Sequence, residues 1–408
     1  MKKLLVWYKG WGERWPLGIL ADDREVLLFE YSPEALRQGL ELSPRHLKLR
    51  EQAYGGFPEY LDRLPGLVAD ALPDGWGRLL MDRLFRKNGR NPATLSPLDR
   101  LSFLGDRALG ALTFEPASEE DLPAEDVSLL ALAREARAVI AERDTEALRQ
   151  LALMGGSPHG ARPKVLVHYD PASGLMSTTP TPTGRPWLVK FQAQGEHKEA
   201  CALEDLYAVL ARRCGLEVPA SRYFDLDRNL AAYGSERFDV EEDLRVPVHT
   251  LAGFLHADFR RAGAVDYTTF LRATRMLTRD EREVHKAYKR AVFNVVFHNR
   301  DDHPKNFSFR LGRDRHWRLA PCYDLTFSEG PGGEHHMDVC GVGHNITRAH
   351  MLELARQTGV TAAWAATTID RFIAEAGALR HLGMKAPIRK ATLQRVEAAV
   401  ATNRGWLR

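Results

Sequence analysis

The spacing of apolar residues changes along the chain from a short alternating pattern to a helical one. Runs rich in Leu, Val, Phe and Tyr at residues 3–8 and 25–31 predict two strands joined by a Gly-rich turn. Three more elements follow: a helix from about Gly75, a helix over residues 96–103 and a strand over residues 108–114. The amino-terminal part is therefore expected to form a small α+β module.

The rest of the chain divides into a linker, a β-rich part and a helical part. Acidic residues and two prolines indicate the linker, and residues 129–153 have the composition of one helix. The β-rich part contains short strands, a Gly-rich loop and a helix over residues 199–214. Further helices are expected over residues 250–300, and two or three more over residues 347–402. The predicted divisions are residues 1–115, 116–153, 154–240 and 241–408.

Composition narrows the class of protein. The 408 residues are 44% hydrophobic and 27% charged, which is typical of a soluble globular protein with two or three domains. A net charge of +3 is too small to indicate nucleic-acid binding, and no apolar run is long enough to cross a membrane. The four cysteines show no close pairing and no apolar signal segment develops, so we expect a reducing, cytoplasmic location.

A polar loop after the apolar run that ends at Phe297 carries the strongest chemical pattern. Asp301 and Asn306 lie five residues apart, and Asp324 follows a short predicted strand. Protein kinases hold a catalytic base and two metal ligands in this order and at this Asp-to-Asn spacing. Asp301 would accept the proton of an acceptor hydroxyl group, and Asn306 and Asp324 would hold the Mg²⁺ that neutralises ATP phosphates. The alternative is a polar loop whose Asp residues only cap structure.

The β-rich part contains candidates for phosphate contacts. Residues 154–167 are rich in glycine, and Ser157, Gly160 and Lys164 lie where backbone amides and an ammonium group would approach phosphate oxygens. The segment lacks the residue order of a P-loop. A flexible surface loop is the alternative interpretation.

Two charged residues and the end of a strand complete the candidate nucleotide site. Lys190 lies at an alternating position of a predicted strand and would reach the phosphates, with Glu204 as its ion-pair partner. Alternatively, both are solvated surface residues. Glu236 and Phe238 follow a predicted strand at residues 228–233 and would lie near the adenine ring.

The polar loop also contains His298, Asp302 and His303. Two histidines beside two aspartates form a pattern found in catalytic transition-metal sites. The alternative, which we favour, is that Asp302 and His303 shape the loop.

The chain resembles the HipA family of bacterial serine/threonine kinases over nearly its whole length. The Asn-x-Asp-Asp-His-x-Lys-Asn pattern of residues 299–306 is specific to that family rather than to kinases in general. The other matching segments are Leu72–Trp76, Leu104–Phe114, Ser157–Lys164, Glu236–Asp239 and Leu319–Leu325, with Lys190 and Glu204. The expected fold class is α+β, with a small N-terminal α/β module followed by a two-lobed protein-kinase-like fold whose C-terminal lobe is mostly helical.

The resemblance implies a Ser/Thr protein kinase that uses ATP and Mg²⁺ and is the toxin of a type II toxin–antitoxin system. It implies Asp301 as the catalytic Asp, Asn306 and Asp324 as Mg²⁺ ligands, Lys190 as a phosphate contact and Ser157 as the autophosphorylation position. The expected partners are a protein substrate with a Ser or Thr hydroxyl group and a small helix-turn-helix antitoxin. DNA would be contacted only through the antitoxin, and no membrane is expected.

Two other functions stay open at this point. One is a catalytically silent, nucleotide-binding regulator that acts in an antitoxin–DNA complex. The other is a small-molecule kinase on the same scaffold. The presence of every expected catalytic side chain disfavours the first, and the N-terminal module disfavours the second.

Overall fold

The computed structural model describes residues 1–23, 25–117, 125–143, 147–155 and 159–408. These residues form two compact units. The first unit contains Met1–Cys201 and Ala220–His249, and the second contains Ala202–Pro219 and Thr250–Arg408. The divisions that the sequence predicts at residues 115, 153 and 240 stay predictions.

An antiparallel sheet opens the first unit. Its strands lie in the order β4-β3-β2-β1-β5. They are β1 (Lys2–Tyr8), β2 (Trp15–Asp22), β3 (Leu27–Tyr31), β4 (Ala53–Tyr54) and β5 (Leu112–Glu115). The helices of this part are α1 (Pro33–Gln38), α2 (Gly66–Ala69), α3 (Gly75–Lys87) and α4 (Pro97–Leu104). The predicted start of α3 at Gly75 is confirmed, and Ser96 caps α4 in a reciprocal capping box.

Strand β2 was missed by the sequence prediction, which placed only a Gly-rich turn between two strands. Pro16 and Gly18 disfavour a strand locally. Here β2 is paired on both sides, with β1 and with β3, so ladder hydrogen bonds outweigh local preference. Gly18 is also required by space, because a Cβ atom there would lie 2.7 Å from the Phe29 ring.

A second antiparallel sheet and two helices complete most of the first unit. Its strands lie in the order β7-β6-β8-β10-β9. They are β6 (Lys164–Tyr169), β7 (Met176–Ser177), β8 (Arg185–Phe191), β9 (Ser221–Asp225) and β10 (Ala231–Glu236). The other elements are α5 (Leu129–Ile140), α6 (Leu148–Gly155), the start of α7 (Glu199–Arg213), and the short pair β11 (Val240–Glu241) and β12 (Leu244–Arg245).

Two element predictions in this part were wrong. The single helix expected over residues 129–153 is two helices, because α5 ends at Ile140 and Glu142 adopts a left-handed conformation (φ 57°) that a helix cannot continue through. The strand expected at residues 228–233 instead spans Ala231–Glu236, where it pairs with β8 and β9.

The segment that follows β10 is bonded to the amino-terminal part of the same unit. Arg245 donates hydrogen bonds to the carbonyl oxygens of Asp106, Ala108, Gly110 and Leu112. The Asp239 carboxylate accepts the Gly110 amide at 2.9 Å. Two segments of the family resemblance, 129 residues apart at these positions, therefore meet directly.

A buried Ser-His-Asp arrangement lies near the end of the first unit. His249 Nε2 is 3.0 Å from Ser43 Oγ, and its Nδ1 is 2.6 Å from Asp70 Oδ2. Ser43 and His249 are both 0% exposed. A nucleophile without exposed surface does not meet a substrate, so this group of three is a structural link rather than a hydrolytic site.

Helices make up most of the second unit. The chain passes from the first unit to the second at β13 (Val248–Thr250). The helices are most of α7, then α8 (Leu251–Leu255), α9 (Tyr267–Thr278), α10 (Glu281–Val296), α11 (Arg348–Gln357), α12 (Ala362–Glu375), α13 (Leu379–Gly383) and α14 (Lys390–Leu407). A hairpin of β14 (Ser308–Leu311) and β15 (Trp317–Leu319) follows α10. Short 3₁₀ helices span Glu59–Leu61 and Pro92–Thr94 in the first unit, and Pro304–Asn306, Pro331–Gly333 and Ala376–Ala378 in the second.

Helix α10 is the core of the second unit. Its second half, from Tyr288 onward, is buried at nearly every position, and α9, α12 and α14 pack around it. A helical segment that is buried on nearly all sides is stable only inside such a bundle. None of the described helices combines the length and the hydrophobicity that crossing a membrane requires.

Candidate active site

The polar loop begins where α10 ends. His298 adopts a left-handed conformation (φ 56°), which ends the helix, and the Asn299 amide donates back to the Asn294 carbonyl oxygen at 2.9 Å. The Asn299 side chain also donates to the Asn294 side chain at 2.9 Å. The loop therefore leaves the helix in a direction that buried hydrogen bonds determine.

Asp302 anchors this loop inside the second unit. Its carboxylate, with 0% of the side chain exposed, accepts the Tyr267 hydroxyl at 2.6 Å and His335 Nδ1 at 2.8 Å. It also accepts the His336 amide at 2.8 Å. Burial alone would raise the pKa of Asp302, but the charge and hydrogen bonds of His335, Tyr267 and His336 hold it below its ordinary value. Asp302 thus joins α9, the loop and residues 335–336.

Asp301, the residue before Asp302, is exposed to solvent. Its side chain is 57% exposed, and His303 Nε2 lies 3.9 Å from its Oδ1. Crowding by the surrounding protein raises the pKa of Asp301; the charge of His303 opposes this shift, and Asp324 and Asp302 add to it. A solvent-reaching carboxyl group with a raised pKa is suited to accept a proton.

Asn306 and Asp324 lie beside the same small cavity. The short turn Pro304–Asn306 carries the Asn306 side chain back to the loop, and its Nδ2 donates to the Asp301 carbonyl oxygen at 2.7 Å. Asp324 adopts a left-handed conformation (φ 57°) after β15. Both residues line a cavity of about 10 Å³, which is on the order of one water molecule.

This donor pair fits Mg²⁺. The hydrogen bond of Asn306 Nδ2 orients the amide so that its oxygen is the remaining ligand atom, and Asp324 supplies a carboxylate. Mg²⁺ takes one or two protein oxygen ligands and fills its octahedron with phosphate and water. A transition-metal site would need a cluster of His, Cys, Asp or Glu side chains. Among the described residues, no group of three or more of these is arranged to hold a metal.

Sequence reasoning assigned no role to two buried residues of this cavity. Arg290 of α10 is 5% exposed and donates to the Ala320 carbonyl oxygen, while its Nη1 has no hydrogen-bond partner among the described residues. The same holds for Asn299 Oδ1. Both atoms belong to residues that line the cavity. The signal in the sequence was an Arg directly before the mostly apolar run of residues 291–297 and an Asn two residues after it.

Lys164 and Lys190 lie directly opposite each other on β6 and β8 of the first unit. Residues paired in this way project to the same face of a sheet, and like charges there repel each other. Both lysines are buried, at 3% and 7% exposure. The pair therefore concentrates positive charge at the strand that follows the Gly-rich loop.

The remaining candidates are placed as follows. Glu204 lies buried on α7 in the second unit, whereas Lys190 belongs to the first, so their ion pair stays a prediction. Glu236 is the last residue of β10, with its Oε1 3.4 Å from Arg185 Nη1, and Phe238 follows. Gly160 is described, with φ 99°, and Ser157 lies outside the described residues.

Two family models match this chain. The model of the HipA N-terminal domain matches residues 4–115, and that of the HipA-like C-terminal domain matches residues 156–379. The chain belongs to the HipA family. No curated protein sequence matches this HipA-family chain.

Solved structures include a HipA protein of the same fold. The HipA of a Shewanella oneidensis MR-1 toxin–antitoxin system, solved with HipB and its operator DNA, is 16% identical, with a TM-score of 0.73. The match covers 99% of this chain and 97% of that chain. This similarity confirms the predicted α+β fold class. The Helicobacter pylori proinflammatory kinase CtkA is 10% identical over 55% of this chain and 88% of that chain, with a TM-score of 0.37.

Proposed function

We propose that this HipA-family chain is an ATP- and Mg²⁺-dependent serine/threonine protein kinase and the toxin of a toxin–antitoxin system. The observation that carries the proposal is the Asp301 loop of the second unit. The Asp301 carboxylate is exposed, and the Asn306 side chain donates to the Asp301 carbonyl oxygen. Asp324 lines the same cavity as Asn306.

In the proposed reaction, Asp301 orients a Ser or Thr hydroxyl group of a protein substrate and accepts its proton as the phosphoryl group is transferred. Asn306 and Asp324 hold Mg²⁺, which neutralises charge on the phosphates. Asp302 does not touch the reacting atoms. Its buried hydrogen bonds keep the backbone of Asp301 in place.

The paired lysines support nucleotide binding from the first unit. Two cations on one face of neighbouring strands are stabilised by an anion that contacts both, and the phosphates of ATP are such an anion. We propose Lys190 and Lys164 as phosphate contacts, with Gly160 in the Gly-rich loop and Glu204 as the partner of Lys190. Glu236 and Phe238 are proposed to lie near the adenine ring, and Ser157 to be the autophosphorylation site.

The proposed macromolecular partners are inferred by analogy with a similar HipA structure. The similar Shewanella oneidensis structure contains HipA, HipB and operator DNA. By analogy, we propose that this chain binds a small helix-turn-helix antitoxin and meets DNA only through it. A cytoplasmic location is part of this proposal.

The experiment that tests this function is incubation with Mg²⁺ and γ-labelled ATP, with Asp301→Ala in parallel and phosphosites mapped afterwards. We expect label on wild-type Ser157, none on Asp301→Ala, and none at this position in Ser157→Ala. Asp301→Ala should still bind ATP, because the residue acts in proton transfer rather than in nucleotide contact. Turnover retained in Asp301→Ala would contradict its assignment as the base.

The same assay separates the other two functions. A silent regulator binds ATP but transfers no label even to a candidate protein substrate. A small-molecule kinase consumes ATP only when a small hydroxyl compound is added. Either result would replace the proposed function.

A further inference from the structure

The segment that follows the Gly-rich loop is bonded to a turn of the N-terminal module, residues 1–115. We call residues 159–164 the loop stem. Four hydrogen bonds join it to Leu72–Trp76, although the two segments are more than eighty residues apart in sequence. Both segments lie in the first unit, and they belong to different family domains.

Gly160 is held at both of its backbone groups. Its amide donates to Asp74 Oδ1, and its carbonyl oxygen accepts the Trp76 amide at 3.1 Å. The chain on either side is held too. His159 Nε2 donates to the Leu72 carbonyl oxygen at 2.9 Å, and Trp76 Nε1 donates to the Lys164 carbonyl oxygen at 3.0 Å.

The local sequence predicts a different hydrogen bond for the Asp74 side chain. It is the N-cap residue of α3, a position whose side chain ordinarily accepts an amide of the first helical turn. Here the side chain makes no such bond, and its oxygen accepts the Gly160 amide instead. The local capping bond is thus replaced by a tertiary one.

The two segments also approach each other closely at Gly75. Gly75 has φ 40°, and a Cβ atom there would lie 2.6 Å from the Gly160 carbonyl oxygen and 2.8 Å from Ala161 Cα. The Trp76 side chain is 2% exposed. A side chain at position 75 would therefore collide with the backbone of the loop stem.

The loop stem also carries a proposed phosphate contact. Lys164 ends the stem and starts β6, and its ammonium group donates to the His159 carbonyl oxygen, across the stem itself. Movement of the stem would therefore move both Gly160 and the base of the lysine that opposes Lys190.

We propose that Asp74 and Trp76 are positioning residues of the nucleotide site: the N-terminal module holds the stem of the Gly-rich loop in its ATP-binding conformation. This inference rests on the proposed function. Without the contact, only a fraction of the molecules has a correctly placed stem. The apparent affinity for the nucleotide is then the intrinsic affinity multiplied by that fraction.

The test uses the full chain and calorimetric titration with Mg·ADP, together with KM and kcat for Mg·ATP. Asp74→Ala should raise the dissociation constant and KM about tenfold, the size of a lost hydrogen bond to a charged acceptor, and leave kcat within about twofold. Asp74→Asn should restore affinity, because its amide oxygen still accepts the Gly160 amide. Asp23→Ala is the matched control, since Asp23 is exposed and its side chain accepts the amides of the neighbouring Glu25 and Val26.

Hydrogen exchange of the peptide that contains residues 159–169 supplies a readout that needs no nucleotide. It should accelerate in Asp74→Ala and not in Asp74→Asn, while the peptide that contains residues 301–306 stays unchanged. If Asp74→Ala does not fold, Trp76→Phe removes one hydrogen bond and keeps a buried aromatic ring, with the exposed Trp406→Phe as its control. We expect an intermediate loss of affinity, about threefold.

The outcomes separate this inference from the proposed function. A wild type that binds no Mg·ADP overturns the proposed function, and the inference with it. A wild type that binds, with Asp74→Ala equal to it, overturns the positioning role alone. Equal losses in Asp74→Asn and Asp74→Ala contradict the role of the oxygen as acceptor, and a fall in kcat without a change in KM contradicts the role in nucleotide binding.

Discussion

The Tyr267 hydroxyl group donates a 2.6 Å hydrogen bond to Asp302, the residue next to the proposed catalytic base. The same carboxylate oxygen accepts His335 Nδ1, and the other accepts the His336 amide. Two neighbouring aspartates of one loop thus have separate tasks. Asp302 is buried and determines where the loop lies, whereas Asp301 is exposed and carries the proposed chemistry.

Asp302→Asn should destabilise the second unit. An amide replaces one of the two acceptor oxygens with a donor, so buried donors of Tyr267, His335 or His336 lose their partner. We expect the free energy of unfolding to fall by about 2–4 kcal/mol, measured by urea denaturation. Asp314→Asn is the control, because its exposed ion pair with Arg318 is worth at most about 1 kcal/mol. Equal losses in the two variants would contradict the anchor role.

The contribution of Asp302 should depend on pH with a definite sign. Its pKa is lowered in the folded protein, so its stabilisation is fully present above the unfolded value of about 3.9 and is lost as the pH falls through the folded value. The difference in unfolding free energy between wild type and Asp302→Asn should therefore be constant near neutrality and shrink below about pH 4. A difference that grows on acidification would contradict the lowered pKa.

Asp324→Ala should raise the Mg²⁺ concentration needed for half-maximal activity. It removes the only carboxylate of the proposed metal pair, and even residues that merely support a ligand change metal affinity about 10–100-fold. A Mg²⁺ titration of phosphotransfer at fixed ATP measures the effect. Asp370→Ala is the control, because this exposed residue of α12 pairs with Arg348. An unchanged Mg²⁺ requirement would remove Asp324 from the metal site.

Lys190→Met should reduce the stabilisation that Mg·ATP gives the folded chain. A ligand at 100 times its dissociation constant stabilises by about 2.7 kcal/mol, and a tenfold weaker complex by about 1.4 kcal/mol less. The shift in Tm with and without Mg·ATP measures this difference. Lys3→Met, an exposed lysine on β1, should keep the full shift. The full shift in Lys190→Met would contradict the phosphate contact.

Arg245→Lys should destabilise the first unit although it conserves charge. The guanidinium group bonds four carbonyl oxygens between Asp106 and Leu112, and an ammonium group cannot reproduce that planar geometry. We expect the free energy of unfolding to fall by about 2–3 kcal/mol. The exposed Arg143→Lys should change it by less than about 0.5 kcal/mol, and a comparable loss there would show that the carbonyl bonds contribute little.

Local patterns were enough to predict much of the fold. Helix α4 begins after Ser96, whose side chain accepts the Asp99 amide while the Asp99 side chain accepts the Ser96 amide. Helix α7 and strand β8 likewise have periodic apolar faces that do not depend on distant residues. Strand β2 was missed for the opposite reason, since Pro16 and Gly18 become strand residues only through pairing on both sides.

By itself, the sequence determined the kinase-like order of Asp301, Asn306 and Asp324 and the family segments around them, because short spacings along the chain carry that information. Only the tertiary structure decided which of the two neighbouring aspartates is buried, since Tyr267 and His335 are more than thirty residues away on either side. It also decided that the Asp74 side chain accepts the Gly160 amide instead of an amide of its own helix, and that Lys164 lies opposite Lys190. Such pairings depend on hydrogen bonds, burial and charge that arise only when distant segments meet.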